Sequence, residues 1–504
     1  MAALSVLLCT EGTYPFVGGG VSTWCDILCR ELDEVDFTVY AITGNPEVTY
    51  RYSPPDNVRG VVHLPLWGAE DPTEYTHPGV SVRTLASRRR ETTDDVIERR
   101  FVPLLRELVR GFEPEHSHPR AQGRVVHGLW RYFQHYDWRR TWRSRPAWDA
   151  FLEEALRPYR DRPGDFLPAE EPSAYDLTTA MRWLSNYLLE LAAPLPRADI
   201  VHTTIAAFAG LPGVVAKHEH GTAFLATDHG VWVRERYIAL SGSDELTPFG
   251  RRFLLGFSSL VSRLVYAHAD VVSPVTNFNR RWEVPWGVEP HRIETIPNAV
   301  DPSVFVPRAK PPSTAGRPTV VAAARIFPLK DIETMIRSAV VTRERIPNVQ
   351  YLVYGSLEAD PPYTERLQSL IAELSLEGTF TLAGHHANPP EIFSEGDISA
   401  LSSISEAFPY TVLESMSCQR PVVGTDVGGV REALEGFGIV VPPRDPQAFG
   451  EAVVQLLSDD ELRLELGRRG REQVLAHYRV DQAMTSYRDL YGRLAALPHV
   501  RPRC

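Results

Sequence analysis

The chain has almost no lysine. Of its 53 basic residues only Lys217, Lys310 and Lys330 are lysines, and the rest are arginine. Any of the three that falls in a motif marks a place where a compact ammonium differs from a forked guanidinium. Basic surface is scarce as well. With 64 acidic residues the net charge is -11, which argues against nucleic-acid binding and against direct attachment to anionic lipid. The five cysteines, Cys9, Cys25, Cys29, Cys418 and Cys504, form no C-x-x-C pair, so a zinc site is not expected and a reducing, cytoplasmic setting is. No run of 18 apolar residues is present to span a membrane. The opening MAALSVLLCTEG has no basic leader and its apolar run stops at Glu11, so it reads as a buried first strand, not a secretory signal. No Asp-x-Asp pair sits at a strand end, and Asp459-Asp460 lies in a helical pattern, so no metal is expected.

What is present is a soluble, globular composition, 43% apolar and 23% charged over 504 residues, too long for one ordinary core. A strand at Ala3–Cys9, a glycine-rich turn, an amphipathic helix and the strand DFTVYAIT open a doubly wound α/β sheet. ADIVHTT, VVAKHEH and ADVVSPVT read as further strands of the same sheet. From about residue 65 to 196 runs a helical block rich in Arg and Trp, an insertion in the first domain. It holds six of the ten tryptophans, whose packing into a core of the inserted helices is favoured over a sugar-stacking platform. The polar, Pro-rich VPRAKPPSTAGRP (Val306–Pro318) is the best linker. After it the β-α alternation restarts, and a second doubly wound domain (307–475) precedes a helical tail (476–504) expected to pack back on the first domain (1–306). The expectation is two such domains facing a central cleft.

Three constellations carry chemistry. SEAFPYTVLE places Glu406 on the loop after a strand and Glu414 on the first turn of a helix beginning near Tyr410 or Thr411. The amides of Thr411 and Val412 would attract a phosphate, and the two acids would hold hydroxyls of whatever carries it. AARIFPLKD places Arg325 and Lys330 after the first strand of the second domain, where two cations could clamp a diphosphate. VGGGVSTW puts Gly19 and Gly20 at the first strand-to-helix turn, where the backbone can approach a ligand closely. A capped helix, a solvated cation pair and a plain tight turn are the respective alternatives. His218 and His220, alternate residues of an expected strand, lack a third ligand for a metal.

Together these residues resemble the retaining, metal-independent GT-B glycosyltransferases of family four. The family's E-x(seven)-E is carried by Glu406 and Glu414, its basic pair by Arg325 and Lys330, its N-terminal double glycine by Gly19 and Gly20, and its later glycine pair by DVGGVREAL (Asp426–Leu434). TEGTYPFVGGGVSTW and TDHGVWVRER (Thr227–Arg236) resemble the Pel-type polysaccharide glycosyltransferases, which also carry a long N-terminal insertion. The resemblance implies donor contacts at Gly19, Gly20, Arg325, Lys330, Glu406, Tyr410, Thr411, Val412 and Glu414. It implies catalytic roles for Glu406, Arg325, Lys330 and His229, and acceptor-side candidates at His202, His220, Arg234 and Glu235. It further implies a UDP-sugar co-substrate with no separate cofactor and a glycan or polysaccharide acceptor. A membrane-bound export or synthase complex at the inner face of the membrane is a candidate partner. A nucleotide-sugar epimerase of the same fold and a non-catalytic glycan-binding subunit are the competing readings; the large insertion speaks against the first and the intact set of four charged residues against the second.

Overall fold

The computed structural model describes residues 3–69, 72–116, 118–167, 170–242 and 245–498. The chain divides into two compact units. Unit 1 runs through Pro274 and adds Arg281–Glu294 and the chain from Arg488; unit 2 is Val275–Arg280 with Thr295–Tyr487.

Unit 1 is built on a parallel sheet of six strands: β1 Leu4–Glu11, β2 Val35–Thr43, β3 Val58–Pro65, β4 Ile200–Thr203, β5 Ala223–Asp228 and β6 Val271–Pro274. Their spatial order is β3-β2-β1-β4-β5-β6, with Leu4 opposite Val35 and Val6 opposite Ile200. Central strands of a parallel sheet are covered on both faces, so they read as continuous apolar runs, and β1, β4 and β5 do. β3 is an edge strand whose Arg59 and Gly60 break the run, and the sequence pattern does not single it out.

One expectation needs correcting. VVAKHEH is not a strand but the end of the helix Leu211–His220, which has a proline in its first turn and stops at Gly221 with φ 73°. That is the usual pairing of an early proline with a left-handed glycine stop. The strand lies just beyond, at β5.

The insertion between β3 and β4 is helical among its described residues. Trp138 and Trp142 are buried, and Trp67, Trp130, Trp148 and Trp183 pack against the same core. That core is continuous with the sheet: Phe101, Leu105 and Phe151 belong to one cluster with Leu7, Tyr40 and Val201. The inserted helices therefore share the core of the sheet and do not build a separate one. Two of them are tied by a bidentate pair, Arg110 donating from Nη2 and Nε to the buried Glu154 carboxylate at 2.7 and 3.0 Å. The last helix, Val480–Ala495, brings Tyr491 into unit 1, where it is buried beside β2 and β4.

Unit 2 repeats the architecture with β7 Thr319–Ala323, β8 Gln350–Tyr354, β9 Phe380–Gly384, β10 Ile398–Leu401, β11 Val422–Thr425 and β12 Ile439–Val441. The order is β12-β11-β10-β7-β8-β9. Unit 2 takes up the chain at Thr295, ahead of the Pro-rich segment, because Asn298 Nδ2 donates to Phe408 O at 2.7 Å and Val300 N–H donates to Tyr478 O at 2.9 Å. Cys9, Cys25, Cys29 and Cys418 are free and buried; Cys504 lies outside the described residues.

Glu154→Ala removes a carboxylate whose side chain is 2% exposed and takes one partner each from Arg110, which is 40% exposed and keeps Glu107, and from Arg157, which keeps Glu113. The expected cost is about 2–3 kcal/mol, at the low side for a broken buried pair because Arg110 can turn to water. Chemical denaturation followed by insertion tryptophans checks it; a loss below about 1 kcal/mol would show that the pair does not organise the insertion.

Candidate functional site

In unit 2 the chain winds from β7 out through β8 and β9, then returns to lay β10 on the other side of β7. The connections leaving β7 and β10 depart in opposite directions, which opens a crevice at the carboxyl ends of these strands. Arg325 and Lys330 lie on the loop after β7, Lys330 in the short turn Pro328–Lys330; Glu406 lies on the loop after β10.

The structure stitches the two loops together. Ile404 N–H donates to Leu329 O at 2.9 Å and Ser402 Oγ to Lys330 O at 2.9 Å. Lys330 Nζ lies 2.5 Å from Glu406 Oε1, and Ser403 Oγ donates to the same oxygen at 2.6 Å. The cation expected to clamp phosphate is thus partly balanced by the acid expected to hold a sugar. Arg325 is exposed, lies over the Phe327 ring at 5.3 Å, and forms no ion pair among the described residues. It is the less compensated cation of the two.

Tyr410, Thr411, Val412 and Glu414 sit on the helix Tyr410–Ser417, whose N-cap is Pro409 with no side-chain cap. Two details differ from the sequence reading. Val412 N–H already donates to Pro409 O at 3.2 Å, and Glu414 opens the second turn, not the first. Burial pushes the Glu414 carboxyl up to about 7, so near neutral pH it is half ionised. Ser402, Ser403 and Thr425, whose hydroxyl donates to Ser403 O at 2.6 Å, were not singled out; the run of small polar residues after β10 was the signal for the two serines, and Thr425 ends β11.

The later glycine pair has a structural task here. Gly428 has φ +57°, and a Cβ there would lie 1.9 Å from Glu406 O. A Cβ on Gly429 would lie 2.7 Å from Ala407 O, to which Gly429 N–H donates at 2.6 Å. Only glycine lets this backbone support the Glu406 loop so closely.

Unit 1 has its own reversal, between β1 and β4. Gly19 and Gly20 are at the carboxyl end of β1, where Gly19 caps the helix Gly20–Glu31 with φ 154° and ψ 174°, a conformation essentially reserved for glycine. His229 follows β5. Its ring lies 4.7 Å edge-on from Trp24, its Nε2 is buried without a hydrogen-bond partner among the described residues, and burial lowers its pKa to about 3, so it is neutral. Arg234 and Glu235 begin the helix Trp232–Ser241, with Arg234 over the Trp282 ring at 5.9 Å.

Of the other two acceptor-side candidates, His202 lies against the same Trp24 ring, 5.4 Å from it edge-on, and His220 lies away from this group. His202 is fully buried within β4, with Nδ1 at 2.7 Å from Tyr491 Oη and Nε2 at 2.7 Å from Thr227 Oγ1, and burial drops its pKa to about 3. Both ring nitrogens are used inside the fold. His220 ends the Leu211–His220 helix. That helix crosses from the carboxyl end of β4 back to the amino end of β5, so His220 lies at the opposite edge of the sheet from Gly19 and His229. His218 and His220, two apart on a helix, do not share a face. Among the described residues no three His, Cys, Asp or Glu side chains are grouped to hold a metal ion, and no helix is long and apolar enough to cross a membrane.

Residues 4–291 match the family model described as a domain of unknown function, DUF3492, and residues 306–473 match that of the glycosyl transferases group 1. Among curated relatives, the chain is 32% identical over 199 residues to D-inositol 3-phosphate glycosyltransferase of Paenarthrobacter aurescens, 36% of this chain and 47% of that one. It is 26% identical over 295 residues to the protein so named from an Arthrobacter species, 55% of this chain and 66% of that one. The matches thus span about half to two thirds of these relatives. In structure it resembles sucrose-phosphate synthase of Thermosynechococcus elongatus (TM-score 0.62, 17% identity, 98% of this chain and 99% of that one). It also resembles Anabaena HepE in complex with UDP and glucose (TM-score 0.59, 12% identity, 98% and 100%). The fold is GT-B.

Gly428→Ala combines a positive φ with a collision, whereas Gly384→Ala has φ +79° but nothing within 4 Å. The control is expected to lose about 1–2 kcal/mol from backbone strain alone, and Gly428→Ala at least about 2 kcal/mol more, in the range of severe overpacking. Equal losses in thermal melting would mean that the Glu406 loop yields freely.

Proposed function

Because the chain belongs to the DUF3492 family and continues into a glycosyl transferases group 1 domain, we propose that it is a retaining glycosyltransferase. It moves a sugar from a UDP-sugar to a glycan or polysaccharide, as a family-four, Pel-type enzyme. The observation that carries this is the gathering of Arg325, Lys330 and Glu406 at the β7/β10 reversal of unit 2, beside the uncapped helix that begins at Tyr410.

Each group has a task. Arg325, the less compensated cation, takes the diphosphate bidentately, with the amide of Thr411 adding a fixed dipole. Lys330 divides its charge between the phosphate and Glu406, and so sets the distance between the leaving group and the acid. Glu406 accepts hydrogen bonds from sugar hydroxyls and faces the positive charge growing at the anomeric carbon. Glu414 accepts from the ribose hydroxyls. In unit 1, the glycine turn at Gly19 and Gly20 lets the protein backbone approach the ligand closely. The neutral His229 has a ring nitrogen, bonded to no described residue, for a sugar hydroxyl, and Arg234 and Glu235 are acceptor-side contacts.

In the transfer the bond from the anomeric carbon to the β-phosphate oxygen breaks and a bond to the acceptor oxygen forms on the same face. The acceptor's proton passes to the leaving phosphate oxygen. No protein nucleophile and no metal is required. The free, buried cysteines fit a reducing cytoplasm, with a membrane-bound export or synthase complex as partner.

A donor screen with the full chain tests this. UDP release is expected to depend on an acceptor glycan, to give a product with the donor's anomeric configuration, and to survive EDTA. Inversion, or rescue by Mg²⁺ after loss in EDTA, overturns the mechanism.

The Glu414 carboxyl gives a pH signature. Its pKa of about 7 lies above the ordinary value of 4.5, so a ligand that needs the carboxylate must expel a proton below pH 7. UDP affinity is expected to rise with pH by up to about tenfold per unit below 7 and to level off above it. Glu414→Gln should flatten the profile. A wild-type affinity that is level from pH 5.5 to 8 removes Glu414 from the ribose.

A further inference from the structure

We propose that Thr276 and Glu432 are positioning residues for Glu406: together they hold the Gly428–Gly429 turn against the loop that carries the acid. Thr276 belongs to Val275–Arg280, a stretch of unit 2 whose neighbours in the chain on both sides are part of unit 1. With no continuous element of unit 2 leading into it, so short a piece is fastened by its side chains. Val275 is fully buried in one apolar cluster with Phe408, Val412 and Val430. Thr276 Oγ1 donates to Glu432 Oε2 at 2.7 Å, and Asn277 Nδ2 donates to Oε1 of the same carboxylate at 3.0 Å. The two donors are fixed in turn: Thr276 Oγ1 accepts the Phe278 N–H at 3.1 Å, and Asn277 Oδ1 accepts the Thr295 hydroxyl at 2.9 Å.

Packing does not ask for an acid at this position. The buried face of the helix Val430–Leu434 is Val430, Ala433 and Leu434, and the neighbouring Arg431 pairs with Asp426. Glu432 is half-buried and gives both oxygens to neutral donors of a single segment. A charged acceptor makes the stronger kind of hydrogen bond, and two of them fix where the segment lies. The tie reaches Glu406 in two short steps. A Cβ on Gly429 would lie 2.5 Å from Thr276 Oγ1 and 2.7 Å from Ala407 O, so the Gly429 backbone touches both. Gly429 N–H donates to Ala407 O at 2.6 Å, and Asn298 Nδ2 donates to Phe408 O at 2.7 Å. The two carbonyls that follow Glu406 in the chain are thus both held. Release of Thr276 or Glu432 frees the Gly429 turn to move, and the Glu406 loop with it. As a role in transfer this rests on the glycosyl-transfer reading; as a tie to the loop it does not.

Hydrogen exchange of the full chain, read by mass spectrometry, measures the tie without any substrate. Thr276→Val keeps the shape and removes the hydroxyl, and Glu432→Ala removes the carboxylate. Each is expected to speed exchange of the peptide carrying the Gly429 N–H by about tenfold or more, and to leave β7 unchanged. Thr276→Ser should match the wild type, and Glu432→Gln, which can still accept one bond, should fall between. Turnover is then followed with a UDP-sugar that the donor screen shows to be used. Thr276→Val should lower kcat by about tenfold or more at an unchanged donor KM, because the acid is misplaced while the nucleotide contacts remain. Thr276→Ser should restore kcat. Unchanged exchange in Thr276→Val and Glu432→Ala, or exchange in Thr276→Ser as fast as in Thr276→Val, overturns the tie. Faster exchange with kcat intact, or a loss that appears only in KM, overturns the positioning role. If the wild type turns over no UDP-sugar, the transfer reading fails alone, and the exchange result still decides the tie.

Discussion

The pairing of Lys330 with Glu406 is the contact on which the geometry of unit 2 turns. Its partners come from loops 76 residues apart that leave neighbouring strands in opposite directions. Without it the hydrogen bonds joining the two loops among the described residues would be Ile404 N–H to Leu329 O and Ser402 Oγ to Lys330 O, which fix the loops but not the charges. The Glu406 side chain is 10% exposed, so its carboxylate needs partners to stay ionised, and it has two, Lys330 and Ser403. The glycine pair at Gly428 and Gly429 supports the same loop from beneath. These contacts fix the geometry of the Glu406 loop within the protein itself, the kind of preorganisation that the proposed electrostatic mechanism needs.

How far the fold could be read in advance depended on burial. β1, β4, β7 and β10 are inner strands and appear as mostly apolar runs. β3 is an edge strand with Arg59 and Gly60 in it, and its run does not stand out. Val214–Ala216 misleads for the opposite reason: three apolar residues in a row suit a buried strand as well as the buried face of a short helix. The decisive cue was Gly221, a stop signal placed before the true strand rather than after a false one.

The site was legible as a set of residues and not as a set of relations. Glu406, Arg325 and Lys330 sit where the spacing put them, yet nothing local in SEAFPYTVLE or AARIFPLKD announces that Glu406 takes Lys330 as its partner. His202 shows the limit more sharply. In sequence it is a histidine in a strand, open to function; its hydrogen-bond partner Tyr491 lies 289 residues further on. Only the return of the last helix to unit 1 makes it a buried, doubly bonded, neutral ring.

The rarity of lysine can now be given a physical meaning, and it is broader than a phosphate clamp. All three lysines pair with a carboxylate in a half-buried place: Lys217 with Asp270, Lys310 with Asp397 and Lys330 with Glu406. Asp270 and Asp397 stand immediately before β6 and β10, and each also accepts a backbone N–H from a neighbouring strand, Phe224 in one case and Thr319 in the other. These two lysines fasten adjacent strands at their amino ends. A compact ammonium fits such a corner, where a planar guanidinium would need room for its fork. Lys330 makes the same kind of tie at the carboxyl end, the edge where doubly wound sheets bind ligands. Its residue type therefore reflects the tie, and its position reflects the function. In the proposed reaction the charge left over for a diphosphate belongs mainly to Arg325, which no described carboxylate balances.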